Sequence, residues 1–171
     1  MTTEPIEESG MIFGPYPEGH CFYIEKCETY KKIENGVKIA EFLLLRPQKD
    51  PSLWVIEAKS STPHPETQPN FDEFIEEIRD KFTNSLTLTV ATCLKRHSTY
   101  GELPELFQTV DLETTNFRLI LVINGHQEEW LPPLQDALKK ELHCTVKTWN
   151  LSPTSVVVLN DAMARSQGLI S

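Results

Sequence analysis

Two short apolar runs constrain the fold of this chain more than any other feature. Residues 53–56 (Leu-Trp-Val-Ile) are too few for a helix and apolar at every position. Residues 117–123 (Phe-Arg-Leu-Ile-Leu-Val-Ile) repeat the pattern with a single interruption. Strands covered by protein on both faces have this composition. The chain is therefore expected to build a sheet whose central strands lie between two other layers.

The segments before these runs favour further strands. Residues 21–33 are rich in aromatic and apolar side chains, which favours a strand, and Asn35-Gly36 is a hairpin turn signal. A second strand is expected over residues 37–46, followed by a turn at 47–51. Residues 60–69 contain three prolines and are expected to form a loop. Residues 1–19 read as an irregular lead-in because glycine and proline recur there.

Helical spacing predicts two main helices. The first has Asn70 as its expected N-cap and acidic residues in its first turn, and residues 86–94 either continue it or form a second helix. Its apolar stripe consists of Phe71, Phe74, Ile75, Ile78 and Phe82, and the second stripe consists of Trp130, Leu131, Leu134, Leu138 and Leu142. A strand over 155–159 and a short helix ended by Gly168 complete the chain. This order predicts a single three-layer α/β domain over residues 20–171, with a central mixed β-sheet flanked by helices.

Composition bounds the location and the partners. No apolar run approaches the roughly 20 residues that cross a bilayer, and the acidic N-terminus is unlike a signal peptide. We therefore expect a cytoplasmic protein without a membrane partner. The net charge is −9, with 16 basic and 25 acidic residues. Because non-specific nucleic-acid binding relies on lysine and arginine, any nucleic acid is expected to be held with the help of a partner protein.

The cysteines do not suggest a metal site. They lack a C-x-x-C pair and are expected to be small core residues or free thiols in a reducing compartment. A zinc site is conceivable, but no spacing supports it; its ligands would be His20, Cys21, Cys27 and His143 or Cys144.

Three charged side chains stand where a buried sheet should have none. Glu57 and Lys59 continue the run at 53–56, and alternate residues of a strand project from the same face. Glu41 lies in the preceding strand, so an antiparallel hairpin would bring Glu41 near Glu57. Buried charges are costly unless they are paired or bind metal. The alternative is a solvated ion pair on an edge strand, worth at most about 1 kcal/mol.

A divalent metal gives these residues a chemical role. Carboxylate oxygens are the hard ligands that Mg²⁺ and Mn²⁺ prefer. The metal can activate water and stabilise charge on a phosphate, and the Lys59 ammonium can position the attacking water or offset the developing charge. Scission of a phosphodiester bond requires little more.

The pattern resembles the PD-(D/E)XK nuclease superfamily, whose core places an acidic residue on one strand and (D/E)-x-K on the next. Here Glu57-Ala58-Lys59 supplies the second element and Glu41 the first. The resemblance implies a restriction-endonuclease-like fold, Glu41 and Glu57 as ligands of Mg²⁺ or Mn²⁺, and Lys59 as a catalytic residue. Members usually have Asp at the position of Glu41. Many also draw a further Glu from an N-terminal helix, and here Glu25 or Glu28 on the first strand is expected to take that place.

The expected function is a metal-dependent endonuclease that cuts DNA in preference to RNA. The resemblance implies a homo- or hetero-oligomeric subunit of a larger nucleic-acid-processing or antiviral defence assembly. The alternative is a degenerate nuclease fold that acts as a non-enzymatic protein-interaction subunit.

Some other polar and aromatic residues allow two interpretations. Lys95 and Arg96 are expected either to complement a helix C-terminus or to contact a phosphate beside the cleft. Trp54 and Trp130 are expected in the core, with base stacking as the alternative, and His64 is expected on the polar surface of its loop.

Overall fold

Both apolar runs lie at the centre of a five-stranded mixed sheet in the computed structural model, which describes residues 1–171. The strands are β1 (Ile6–Glu8), β2 (Met11–Phe13), β3 (Cys21–Phe22), β4 (Phe42–Arg46), β5 (Ser52–Lys59), β6 (Asn116–Ile123) and β7 (Val156–Asn160). The helices are α1 (Glu28–Ile33), α2 (Asn70–Cys93), α3 (Glu105–Gln108), α4 (Leu131–Glu141), α5 (His143–Thr148) and α6 (Asp161–Ser166). None of these helices is both long and apolar enough to cross a membrane.

The sheet has the spatial order β3-β4-β5-β6-β7. Strands β3, β4 and β5 pair antiparallel, whereas β5, β6 and β7 pair in parallel and are linked through α2 and α4. The predicted adjacency of the strands in 37–46 and 53–59 is confirmed, with Phe42 opposite Ile56 and Arg46 opposite Ser52. The ordered strand begins only at Phe42, five residues later than expected.

Different layers cover the two faces of the sheet, because side chains alternate along each strand. Leu43, Val55 and Leu119 belong to the larger core cluster, together with apolar residues of α2, α3 and α4. Phe42 and Ile56 point to the opposite face, which the β1–β2 hairpin, α6 and the C-terminal residues cover. The predicted α/β class, a mixed sheet flanked by helices, is thus confirmed.

The expected irregular lead-in over residues 1–19 is wrong in its central part. Strands β1 and β2 pair antiparallel across a turn at Ser9 and Gly10, which have φ angles of 52° and 77°. Phe13 of β2 is fully buried, and its ring lies 5.3 Å from that of Phe42. Packing on the sheet therefore orders a segment whose composition favours irregular structure.

The expected long strand over residues 21–33 is also wrong. Only β3 is extended, and α1 begins at Glu28 after a short 3₁₀ turn. The helix start is held by contacts that residue propensities do not reveal. Cys27 Sγ accepts a hydrogen bond from the Tyr30 amide, and the distant Glu102 carboxylate accepts one from the Thr29 amide. The turn at Asn35-Gly36 exists, but it follows α1 instead of joining two strands.

Helix α2 is one continuous helix, which settles the open question about residues 86–94. Asn70 is its first residue, with Pro69 before it, so the expected N-cap is displaced by one position. Most of the predicted stripe is buried, but Phe74 is only half-buried. Trp54 is buried as expected, whereas Trp130 is 48% exposed, so its expected core position is wrong. Trp130 precedes α4, on which Leu131, Leu134 and Leu138 form the buried face.

Candidate metal centre

Glu57 lies at the heart of the site, two residues before the end of β5. Its side chain is fully buried and faces α2, because it shares a strand face with Leu53 and Val55. One carboxylate oxygen, Oε1, accepts a hydrogen bond from Lys81 Nζ at 2.7 Å. The other oxygen, Oε2, is buried and has no hydrogen-bond partner. Glu57 therefore retains an unsatisfied acceptor inside the protein, which is costly unless something binds there.

Lys59 lies beside Glu57, as the strand alternation predicts. Its Nζ is 3.3 Å from Glu57 Oε1 and 3.3 Å from Glu77 Oε1 on α2. A quarter of the side chain is exposed, so the ammonium group can reach a ligand at the surface. The E-x-K tripeptide is thus part of an ion-pair network with α2 and not a solvated edge-strand pair.

No sequence motif identifies Lys81 of α2 as a site residue. Lys81 follows Ile78 by three residues and directly precedes Phe82, both of which are buried. Residues three or four positions apart lie on the same side of a helix. The spacing of Lys81 from Ile78 therefore indicates that Lys81 lies on the buried side of α2. The attraction of Glu57, Glu41 and Glu77 raises the pKa of Lys81 even though burial opposes the charge. Burial raises the pKa of Glu57, and the attraction of Lys81 and Lys59 only partly offsets it. The surroundings therefore favour the charged form of Lys81 but disfavour the charged form of Glu57.

Glu41 stands directly before β4. Its backbone amide donates to the Ile56 carbonyl at 3.0 Å, one residue out of the β4–β5 register in which Phe42 lies opposite Ile56. The side chain is 7% exposed, and its Oε2 is buried without a partner. Burial raises the pKa of Glu41 to about 9, helped by a hydrogen bond with Glu25 and by repulsion from Glu57, Glu25 and Glu8. Glu41 thus retains a proton at neutral pH as long as no cation replaces it.

Two further carboxylates surround Glu41. Oxygen atoms of Glu8, Glu25 and Glu41 all lie within 4.8 Å of one another. Glu25 was expected on a strand but comes from the 3₁₀ turn before α1, where its amide donates to the Glu41 carbonyl. Glu8 comes from β1 and accepts a hydrogen bond from the Tyr23 hydroxyl. The sequence does not identify Glu8 as a site residue, because the composition of residues 1–19 predicts irregular structure there and no contact with the sheet.

The remaining candidates lie outside this group. Glu28 is exposed at the start of α1 and pairs with Lys31 at 2.8 Å. Lys95 and Arg96 follow the end of α2, where both are exposed. Lys95 is fourteen residues beyond Lys81, which corresponds to roughly 20 Å at the helical rise. The structure therefore does not bring these three residues to the carboxylates. The conceivable zinc ligands do not converge either, since Glu8, Glu25 and Glu41 are the only trio at ligand spacing.

The donor set fits a hard divalent cation. Glu41 and Glu57 each hold a buried, unpartnered oxygen; Glu41 directly precedes β4, and Glu57 lies near the end of the adjacent strand β5. Glu8 and Glu25 add oxygens beside Glu41, and these three residues are at ligand spacing. Glu57 lies outside this trio and faces the two lysines, Lys59 and Lys81. A cation coordinated by oxygen would satisfy the orphaned atoms and relieve the repulsion among the carboxylates.

Comparison of the chain with models of protein families, with curated proteins and with solved structures found no match.

Proposed function

We propose that this domain is a divalent-metal-dependent nuclease of the PD-(D/E)XK type that hydrolyses phosphodiester bonds, in DNA rather than RNA. The observation that carries the proposal is the pair of buried carboxylates, Glu41 and Glu57, each with an unpartnered oxygen, beside the part-exposed Lys59. A hairpin with Glu41 directly before its first strand and Glu57 in its second strand, followed by a helix and a parallel strand, adds support.

Each residue has a defined role in this proposal. Glu41 and Glu57 hold the cation, and Glu8 and Glu25 contribute further oxygens from outside the sheet. A bound Mg²⁺ or Mn²⁺ supplies Lewis-acid stabilisation of charge on the phosphate and lowers the pKa of a water molecule. Lys59 positions the attacking water and offsets the negative charge that grows on the phosphate oxygens. Lys81 orients Glu57 through the 2.7 Å hydrogen bond to Oε1, which leaves Oε2 free for coordination.

The charge distribution supports action within a larger assembly. The net charge of −9 gives the domain little attraction of its own for a polyanion. A basic partner, as a homo- or hetero-oligomeric subunit of a defence or nucleic-acid-processing complex, would hold the substrate strand against Lys59.

One observation favours a second function, a non-catalytic subunit that retains the fold for protein interaction. Both Lys59 and Lys81 lie within ion-pair distance of Glu57 Oε1. In that case the lysines serve as permanent internal counter-ions, and no metal is required.

Metal binding is expected to separate the two functions in a thermal-melt experiment. A ligand that binds only the folded state stabilises it by about 2.7 kcal/mol at a concentration 100-fold above Kd. For a domain of this size, that corresponds to a rise in Tm of about 5–10 °C. We expect Mg²⁺ or Mn²⁺ to produce such a shift, measured by calorimetry or dye fluorescence at constant ionic strength.

Matched variants assign the shift to the site. Glu41→Gln is expected to abolish the metal-dependent shift. It should raise Tm at pH 7 without metal, because folding then no longer requires a buried carboxylate to take up a proton. Glu113→Gln removes an equal charge from an exposed loop position and is expected to leave the shift unchanged. An equal shift in all three proteins would show non-specific cation binding. Absence of a shift in the wild type, together with absence of DNA cleavage, would favour the non-catalytic subunit.

A further inference from the structure

A second feature lies next to the carboxylates, at the carboxyl ends of the parallel strands. The Asn124 amide, just after β6, donates to the carbonyl of Lys59 at 2.9 Å. From this point the chain leaves both strands in loops that line a cavity of about 480 Å³. Cavities of this size are typical of small-molecule sites, and α/β sheets commonly bind ligands at the carboxyl ends of their strands. The cavity is therefore walled by the segments that follow Lys59 and Asn124 in the chain, and its nearest lining residue to Lys59 in sequence is Thr62.

The walls of this cavity suit a flat ring. Trp130 leaves nearly half of its surface open there, and the His126 ring meets it edge-on with centroids 5.1 Å apart and planes at 75°. Thr62 lies 3.4 Å from His126 Nε2 and ties the two loops together across the cavity. Three prolines add rigid apolar surface. Trp130 ends a short 3₁₀ turn directly before α4, and an exposed tryptophan is a surface on which nucleic-acid bases stack.

The charged side chains that line the cavity determine which part of a nucleotide it can bind. The cavity contains two carboxylates, Glu66 and Glu129, and no lysine or arginine. Burial lowers the pKa of His126, which disfavours a positive charge on this ring. A phosphate would be repelled there, whereas an exocyclic amino group of adenine, cytosine or guanine could donate to a carboxylate. The base, and not the backbone, is the group that fits.

We infer that this cavity binds an amino-bearing nucleobase of the strand that passes Lys59, stacked on Trp130 and hydrogen-bonded to Glu66 or Glu129. The inference rests on the proposed nuclease function and adds a substrate preference to it. A base can enter the cavity only when it is unpaired, so the preferred substrate is single-stranded or locally opened DNA. Binding to the cavity requires no metal, and it can therefore be measured separately from cleavage.

The test is a binding titration in EDTA with fluorescently labelled dA, dC and dT octamers, followed by anisotropy. We expect the dA and dC octamers to bind more tightly than the dT octamer. Trp130→Ala should weaken dA binding by about tenfold, whereas Trp130→Phe, which keeps an aromatic face, should retain most of the affinity. Leu94→Ala removes an exposed apolar side chain elsewhere and should change nothing. Melting curves of each variant exclude a folding effect.

Several outcomes would overturn the inference. Equal affinity of Trp130→Ala and wild type for the dA octamer would exclude stacking on this residue, and so would the absence of binding by all three octamers. Equal affinity for AMP and the dA octamer would assign the cavity to a free nucleotide and not to a strand. Cleavage unchanged by Trp130→Ala would reject the base site and retain the nuclease. Trp130-dependent binding without metal-dependent cleavage would reject the nuclease and retain the base site.

Discussion

Lys59→Ala is expected to abolish Mg²⁺- or Mn²⁺-dependent cleavage of DNA while the protein remains folded. The Lys59 ammonium lies 3.3 Å from Glu57 Oε1 at the end of β5 and is partly exposed, so it stabilises charge more than it contributes to packing. Removal of one such preorganised group typically lowers kcat by about 10²–10³-fold. The measurement is cleavage of plasmid and oligonucleotide substrates, with and without a co-purifying partner.

Companion variants resolve the role of each acid. Glu57→Gln should also abolish cleavage and should additionally weaken the metal-dependent thermal shift, because it removes a ligand charge. Glu41→Asp introduces aspartate, the acid that PD-(D/E)XK nucleases usually have at this position. If Glu41 is a metal ligand, this variant is expected to raise the rate of cleavage. Arg96→Ala provides the basic-residue control, since Arg96 lies just beyond the end of α2, away from the carboxylates. Equal rates for Lys59→Ala and wild type would contradict the catalytic assignment.

Phe82→Ala is expected to lower the free energy of unfolding by about 3–5 kcal/mol, as truncation of a buried phenylalanine does. Phe82 is fully buried between α2 and the sheet, within the larger core cluster. Phe74, on the same helix, is only half-buried, so Phe74→Ala should cost clearly less. Urea or guanidinium melts measure both values. A loss below about 1 kcal/mol for Phe82→Ala would show that α2 does not pack as described.

The difference in burial between Phe74 and Phe82 shows what helical spacing can and cannot predict. Spacing placed Phe74 and Phe82 on one stripe, and the stripe does face the sheet. Which residue of the stripe is covered depends on where the helix crosses the strands. Phe74 lies near the beginning of α2 and Phe82 at its middle, and only Phe82 is fully buried within the larger core cluster. Burial at a given position is therefore a tertiary property.

The candidate metal centre also contains some contacts that the sequence pattern predicts and others that only tertiary packing creates. The proximity of Glu57 and Lys59 follows from the two-residue period of a strand, and the position of Glu41 directly before the strand next to β5 follows from the predicted pairing of the two segments. Glu8 joins them only because the β1–β2 hairpin packs on the sheet, and no local pattern reports a contact between residues so far apart in sequence. Lys81 reaches Glu57 because α2 crosses β5 at that residue.

The sequence by itself determined the central strands, the two main helices and the mixed α/β class, because each depends on periodicity within one segment. It also determined that charged groups would lie at the end of a buried strand. The tertiary structure decided the helical state of residues 28–33, where Glu102 binds the Thr29 amide, and the exposure of Trp130 at the mouth of a cavity. Both depend on residues that are distant in sequence, and the free energy of such contacts outweighs the local propensities of those segments.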